Sequence, residues 1–265
     1  MRAVSSGHWL LPLSVLTWTV QMAVFHGVGL AFEWADRTGA LASFKVRRSE
    51  RRSYLELLPR VLFNQVFVLL PTMVVFQLAG LAFTGAPHLT VLHFLVAMAL
   101  MSVGFDIVQY GFHRWVLHAP RLMHTLGHNV HHSTGTAKAI SAIYMSQSDF
   151  FLEIVLPYLV PLALVGAGAA IVFHLTVASL GAIVGLYEHS GYDFAARLQT
   201  DKARGLRGRA RRFFALLITS KAHREHHRVG NVSYSEGVGS LGICDTIFKT
   251  RWDLASPPKG NSASR

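Results

Sequence analysis

Residues 9–32 carry no formal charge over a stretch long enough to cross a bilayer, which limits the fold more than any other feature. A membrane helix needs about 20 apolar residues, and its backbone polar groups must be satisfied within the chain. Further apolar stretches occupy 61–83 and 91–112. The stretch 150–187 is too long for one helix across ~30 Å, so it predicts a helical hairpin that turns near Gly166 and Gly168.

The composition agrees with a membrane protein. Charged residues make up 15% of the chain, against about 25% in soluble domains. The formal net charge is +11, but the basic residues lie between the apolar stretches rather than in one basic domain, so nucleic-acid binding is not expected. We predict a single all-α integral membrane domain over 1–265, with about four transmembrane helices, the last apolar stretch forming the hairpin.

The basic residues predict how the chain is oriented. Segment 33–60 contains seven Lys or Arg, segment 113–149 three, and the chain from 188 onward fourteen, whereas the N-terminus and connector 84–90 have one between them. Basic loops stay on the cytosolic side. We therefore expect segments 113–149 and 188–250 to form a cytosolic helical cap, in a bacterial inner membrane or the endoplasmic reticulum. The tail 255–265 is expected to be disordered.

Histidine is concentrated in these same polar segments. One pair lies at the end of the third apolar stretch, HxxHH patterns occur twice, and one histidine follows the hairpin. The i, i+3, i+4 spacing of HxxHH places its histidines on one helix face, and neutral imidazole is the commonest metal ligand in proteins. The nine candidate ligands are His113, His118, His128, His131, His132, His189, His223, His226 and His227.

The number and type of these ligands indicate a dinuclear site. Nine imidazoles exceed the three or four protein ligands that one zinc takes, and they are enough for two metals. The chain has one cysteine, Cys244, so a thiolate site is excluded. An all-histidine set suits iron, with zinc or another borderline metal able to occupy it.

Other residues near the histidines are candidates for supporting roles. Asp106 and Tyr110 share a helix face with His113 at i, i+4, i+7, and Glu188 lies next to His189 in sequence. We expect a carboxylate such as Asp106 or Glu188 to orient an imidazole. His124 fits the helical stripe of the second group but falls outside the three histidine boxes.

Two simpler interpretations stay open. A single HxxHH could be polar surface sequence or a structural zinc site, but two such patterns with HxxxxH at a membrane helix end favour a functional centre. The chain could also be a non-enzymatic membrane metal-binding or transport protein. Transport predicts ionisable residues along the spans, whereas 9–32 and 61–83 carry no formal charge.

The histidine boxes also carry a family resemblance. HRWVLH at 113–118, HNVHH at 128–132 and HREHH at 223–227 resemble the fatty acid hydroxylase/sterol desaturase superfamily. Within it, EWADRTGALASFKV, DIVQYGFHR and EHSGYDF look like the C-4 methylsterol oxidase branch. The resemblance covers roughly 30–250. The first box has four intervening residues, where that branch usually has three.

The resemblance implies a non-haem di-iron enzyme with all nine histidines as ligands. It implies that O2 is the co-substrate and that an unactivated C–H bond of a lipid, such as a sterol or fatty acyl chain, is hydroxylated or oxidised. Desaturation on the same scaffold is the alternative. The lipid would arrive from the bilayer, and electrons would come from a reductase, ferredoxin or cytochrome b5-type donor at the cytosolic face.

Overall fold

The computed structural model describes residues 11–47, 52–195, 205–235 and 242–255. Over these residues the secondary structure is helical, apart from an isolated bridge between Lys45 and Tyr192. In chain order, with π-helical turns included, the helices of five or more residues that position the site are α1 (Leu13–Thr38), α2 (Tyr54–Leu78), α3 (Val91–Leu117), α4 (His128–His132), α5 (Gln147–Leu164), α6 (Ile171–His189), α7 (Gly205–Ile218), α8 (Lys221–Val229) and α9 (Ile243–Ile247).

Five of the described helices are long and apolar enough to cross a membrane: α1, α2, α3, α5 and α6. The predicted all-α membrane fold is therefore confirmed. The expected count of about four is not confirmed, since five described helices qualify by length and composition when each arm of the hairpin is counted. The hairpin turns where expected, since Gly166 and Gly168 both have the left-handed backbone, with φ of 64° and 60°.

Two spans extend beyond their apolar stretches for identifiable reasons. α2 begins at Tyr54 rather than at 61 because Ser53 and Glu56 form a capping box that satisfies the first amides of the helix. α1 continues past 32 to Thr38 because its two carboxylates are paired. Lys138 Nζ lies 2.8 Å from Glu33, and Lys45 Nζ lies 2.5 Å from Asp36. Positions 9–10 and 256–265 lie outside the described residues.

The spans pack around a common apolar core that includes Leu57, Val61 and Leu186, all fully buried. α3 and α5 approach so closely at Gly104 that a Cβ there would lie 2.7 Å from Pro161. The outer faces instead expose large apolar side chains, including Leu78 at 82% and Leu164 at 80%. Extended apolar exposure of this kind is expected of a surface in contact with lipid.

Three of the spans contain a π-helical segment. These segments are Asn64–Leu69 in α2, His113–Leu117 in α3 and Phe151–Val155 in α5. A π-helical turn holds more residues than an α-helical turn, and such turns are frequent at functional sites. In α3 and α5 they carry His113 and Glu153 respectively, so the irregular backbone coincides with buried polar side chains.

The polar ends of α1 and α6 are joined beside the histidines. The amide of Val46 donates to the carbonyl of Gly191 at 2.8 Å, and that of Asp193 donates to Phe44 at 2.9 Å. Lys45 Nζ donates to the carbonyl of Ser190 at 2.7 Å. These bonds bring sequence pieces 33–46 and 188–194 together and fix the chain that follows His189.

Candidate metal centre

The structure brings all nine predicted histidines together, in two adjacent groups. In each group the candidate ligand atoms lie within 4.8 Å of one another. The groups adjoin at His132 and His227, whose ring centroids are 4.5 Å apart. The first group contains His113, His118, His128, His132 and His226, and the second contains His131, His189, His223 and His227.

Backbone carbonyls fix the orientation of two imidazoles in the first group. His113 Nδ1 lies 2.7 Å from the carbonyl oxygen of Tyr234, and His226 Nδ1 lies 2.7 Å from that of Val232. A carbonyl oxygen can only accept, so Nδ1 carries the proton in both rings and each neutral ring keeps a lone pair on Nε2. This arrangement is typical of metal-binding histidines.

The Nε2 atoms of four histidines in the first group form a closed ring. Successive distances are 3.1 Å from His226 to His118, 3.0 Å from His118 to His128, 3.1 Å from His128 to His132, and 3.2 Å from His132 to His226. A point equidistant from four atoms so spaced lies about 2 Å from each, which matches the ~2.0–2.1 Å bond between zinc and imidazole. The ring therefore fits a cation of this size.

Unpaired nitrogens give a second test of fit. Nε2 of His113 and both ring nitrogens of His131 and His227 are buried without a hydrogen-bond partner. In the second group, the Nε2 atoms of His189 and His223 approach to 2.6 Å. Buried polar atoms are normally satisfied, so this concentration of orphaned ring nitrogens fits a site that is completed by metal ions.

Two buried carboxylates on α5 adjoin the histidines, and neither is among the residues predicted from the sequence. Asp149 Oδ1 accepts from His128 Nδ1 at 2.9 Å. Glu153 has an oxygen 3.2 Å from His128 Nδ1, and its other oxygen lies 3.8 Å from His113 and 3.9 Å from His131. Glu153 thus contacts both groups. For Glu153 the available signal was a charged residue inside the apolar stretch 150–187, a feature that marks functional positions.

Burial sets the charge state of the imidazoles in the polar segments. It lowers the pKa of His118 to about 3 and of His132 to about 2, with further lowering by the neighbouring His128, and it holds the pKa of His226 well below the usual range. His128 differs. Burial alone would lower its pKa, but Glu153 and Asp149 outweigh it and raise the pKa to about 10. Near pH 7 the imidazoles of His118, His132 and His226 are therefore neutral, and that of His128 is cationic.

Asp106 and Tyr110, the two residues predicted to share a helix face with His113, contact the C-terminal part of the described chain. Asp106 accepts from the amides of Ile243 and Cys244, both at 2.8 Å, so it holds the start of α9. Tyr110 packs edge-on against Tyr234, with ring centroids 6.0 Å apart. Asp245 of α9 in turn accepts from the amide of Tyr234 at 3.1 Å, so Asp106 and Tyr110 both support the residue whose carbonyl binds His113. A direct role for either in orienting an imidazole stays a prediction.

An apolar cavity of about 210 Å³ lies between the spans and ends at the second histidine group. All five spans contribute to its lining, mostly with aliphatic, aromatic and methionine side chains. At the histidine end it is lined by His131, Glu188 and His189. His124 is exposed and belongs to neither group. The site therefore combines a metal-binding pair of groups with an apolar cavity inside the bundle.

A comparison with protein-family models matches residues 98–250 to the model described as fatty acid hydroxylase, over more than half of the chain and including all nine histidines. This family is part of the fatty acid hydroxylase/sterol desaturase superfamily, so the resemblance of the sequence is confirmed at that level. No curated protein and no solved structure matches the chain. The C-4 methylsterol oxidase branch stays a prediction.

Proposed function

Because the chain belongs to the fatty acid hydroxylase family, we propose that it is a non-haem di-iron enzyme that hydroxylates a C–H bond of a membrane lipid. The family supports a membrane oxidoreductase that acts on lipid as a hydroxylase or desaturase. The observation that carries the proposal is the apolar cavity that ends on His131 and His189. An apolar substrate bound there has its end beside the histidine groups.

Each histidine group would hold one iron. The five imidazoles of the first group and the four of the second exceed the needs of a single ion, and Glu153 lies between the two groups. When bound, iron supplies the O2 chemistry, in which two external electrons and two protons reduce one oxygen atom to water while the other enters the C–H bond.

The chain's own residues position and insulate this chemistry. The carbonyls of Tyr234 and Val232 orient His113 and His226, and Asp149 orients His128. The cavity holds an apolar molecule away from water, because its lining is mostly aliphatic and aromatic. Glu188 lines it next to His189, where its carboxyl group would adjoin the bound lipid.

The basic segments favour a cytosolic position for the histidine groups, where a reductase, ferredoxin or cytochrome b5-type protein would deliver electrons. Three of the five described spans, α1, α3 and α6, end on the side of the histidines, at Thr38, Leu117 and His189. A lipid could therefore enter from the bilayer, while electrons arrive from the aqueous side of the same site.

Lipid profiling tests this function. Cells that express the wild-type chain are compared with cells that express His226→Ala, and His124→Ala serves as the control because His124 lies outside both groups. We expect a lipid that gains one oxygen atom in the wild type and the control, and no such lipid with His226→Ala. Loss of two hydrogens instead would show desaturation. Metal uptake into vesicles without any change in lipid would show a transport protein and overturn the proposal.

A further inference from the structure

The cavity has unpaired polar groups at the end away from the histidines. Gln21 of α1 and Tyr158 of α5 both line it. The side-chain carbonyl oxygen of Gln21 and the hydroxyl of Tyr158 are buried and have no hydrogen-bond partner. Leaving such groups unpaired destabilises a folded protein, so two of them in one apolar cavity need a physical reason.

Positions along the helices place these two groups at a similar depth. Gln21 lies eight residues from Leu13, and Tyr158 lies six residues from Leu164, at the helix ends opposite the histidines. At 1.5 Å per residue they are about 12 and 9 Å below those ends. The lining of α6 runs from Val177 to His189, which spans about 18 Å. The polar pair therefore marks the deep end of an elongated cavity.

We propose that the cavity binds an elongated apolar alcohol, with its hydroxyl at Gln21 and Tyr158 and its other end beside His131 and His189. A hydroxyl matches both groups, because it accepts from the phenol of Tyr158 and donates to the carbonyl of Gln21. This inference rests on the proposed function and names its substrate class. Oxidation would then take place about 18 Å from the existing hydroxyl.

The lining disfavours the other common polar ends of lipids. A ketone only accepts, so with the Gln21 amide in its present orientation it would leave the carbonyl of Gln21 unpaired. A carboxylate would need a cation, and within the described part of the chain the lining includes no Lys or Arg. Burying an unpaired carboxylate costs far more than burying a hydrogen-bonded hydroxyl.

Binding to the full chain in nanodiscs tests the proposal. The probes are radiolabelled 1-tetradecanol, tetradecane and tetradecanoic acid, each measured as saturable binding above that of empty nanodiscs. We expect the wild type to prefer the alcohol over the alkane by about tenfold, the effect of a net hydrogen bond. Tyr158→Phe and Gln21→Leu should each reduce this preference severalfold. Tyr144→Phe, the same change at a tyrosine that does not line the cavity, should keep it. Equal binding of alcohol and alkane by the wild type, or an unchanged preference in both polar variants, would overturn the proposal.

Thermal unfolding without added lipid gives an independent measurement. If the Tyr158 hydroxyl is unpaired until an alcohol binds, Tyr158→Phe should leave Tm unchanged or raise it, and should lose the Tm increase that 1-tetradecanol gives the wild type. A lower Tm without added lipid would mean that the hydroxyl already has a partner, which would overturn the proposal. Binding is also measured in His226→Ala. The His226→Ala variant should keep the alcohol preference. In the wild type, preferential alcohol binding without lipid oxidation would reject the proposed function alone, and oxidation without alcohol preference would reject this inference alone.

Discussion

The amide of His118 donates to the carbonyl of His113 at 3.0 Å, and this i to i+5 hydrogen bond closes a π-helical turn at the end of α3. In a regular α-helix, residues five apart point about 140° away from each other. The wider π turn brings both imidazoles into the first histidine group. The spacing of four residues between His113 and His118 therefore suits a π-helical turn rather than a regular α-helix.

His118→Ala should weaken metal binding by the first group. The Nε2 of His118 contacts those of His128 and His226, so its loss opens the ring of four nitrogens. We expect at least a tenfold loss of affinity for that ion, the lower bound seen when even a supporting group is removed. Competition with a chelator measures it. The matched control is His124→Ala, and equal affinities for the two variants would contradict a ligand role for His118.

Asp149→Asn should also reduce metal affinity, by about 10- to 100-fold. The carboxylate accepts from His128 Nδ1 at 2.9 Å and so holds the proton on that nitrogen, which leaves Nε2 as the ligand atom once its own proton is released. An asparagine amide can turn its NH2 group towards the ring and favour the wrong tautomer. Metal analysis after dialysis against chelator measures the change. Asp253→Asn is the control, because Asp253 pairs with Arg251 away from the histidines.

Metal binding should release a proton from His128. The pKa of this imidazole is raised to about 10, so below that pH the ring is protonated and the proton competes with the metal. Affinity should therefore rise about tenfold per pH unit between pH 7 and pH 9, and level off above pH 10. Titration calorimetry in buffers with different ionisation enthalpies counts the protons. Glu153→Gln should flatten the pH dependence, and an unchanged slope would argue against Glu153 as a cause of the shift.

Asp106→Asn should destabilise the fold rather than directly remove a metal ligand. Its two oxygens accept from the amides of Ile243 and Cys244, and an asparagine can satisfy only one of them. The expected loss is about 1–3 kcal/mol, measured as a lower Tm in detergent. The metal content of the folded variant should stay near that of the wild type. A loss of metal at unchanged Tm would instead support direct orientation of an imidazole by Asp106.

Local patterns in the sequence were sufficient for the spans and for the nine histidines, because apolar length and i, i+3, i+4 spacing depend only on neighbouring residues. Contacts between distant segments were not accessible in this way. The carbonyl of Tyr234 that binds His113 lies 121 residues further along the chain. Asp149 and Glu153 were missed for a related reason, since their role depends on α5 packing beside α4.

The three π-helical segments affect how the faces of these helices relate to one another. Each segment adds a residue to a turn, so the helix beyond it is rotated by about 100° relative to the helix before it. An apolar stripe on the helix that precedes His113 or Glu153 therefore continues, in the helix that follows, on a face turned by about 100°. Deleting one residue at such a point would regularise the backbone but turn an entire half-helix, which makes these positions intolerant of a change in length.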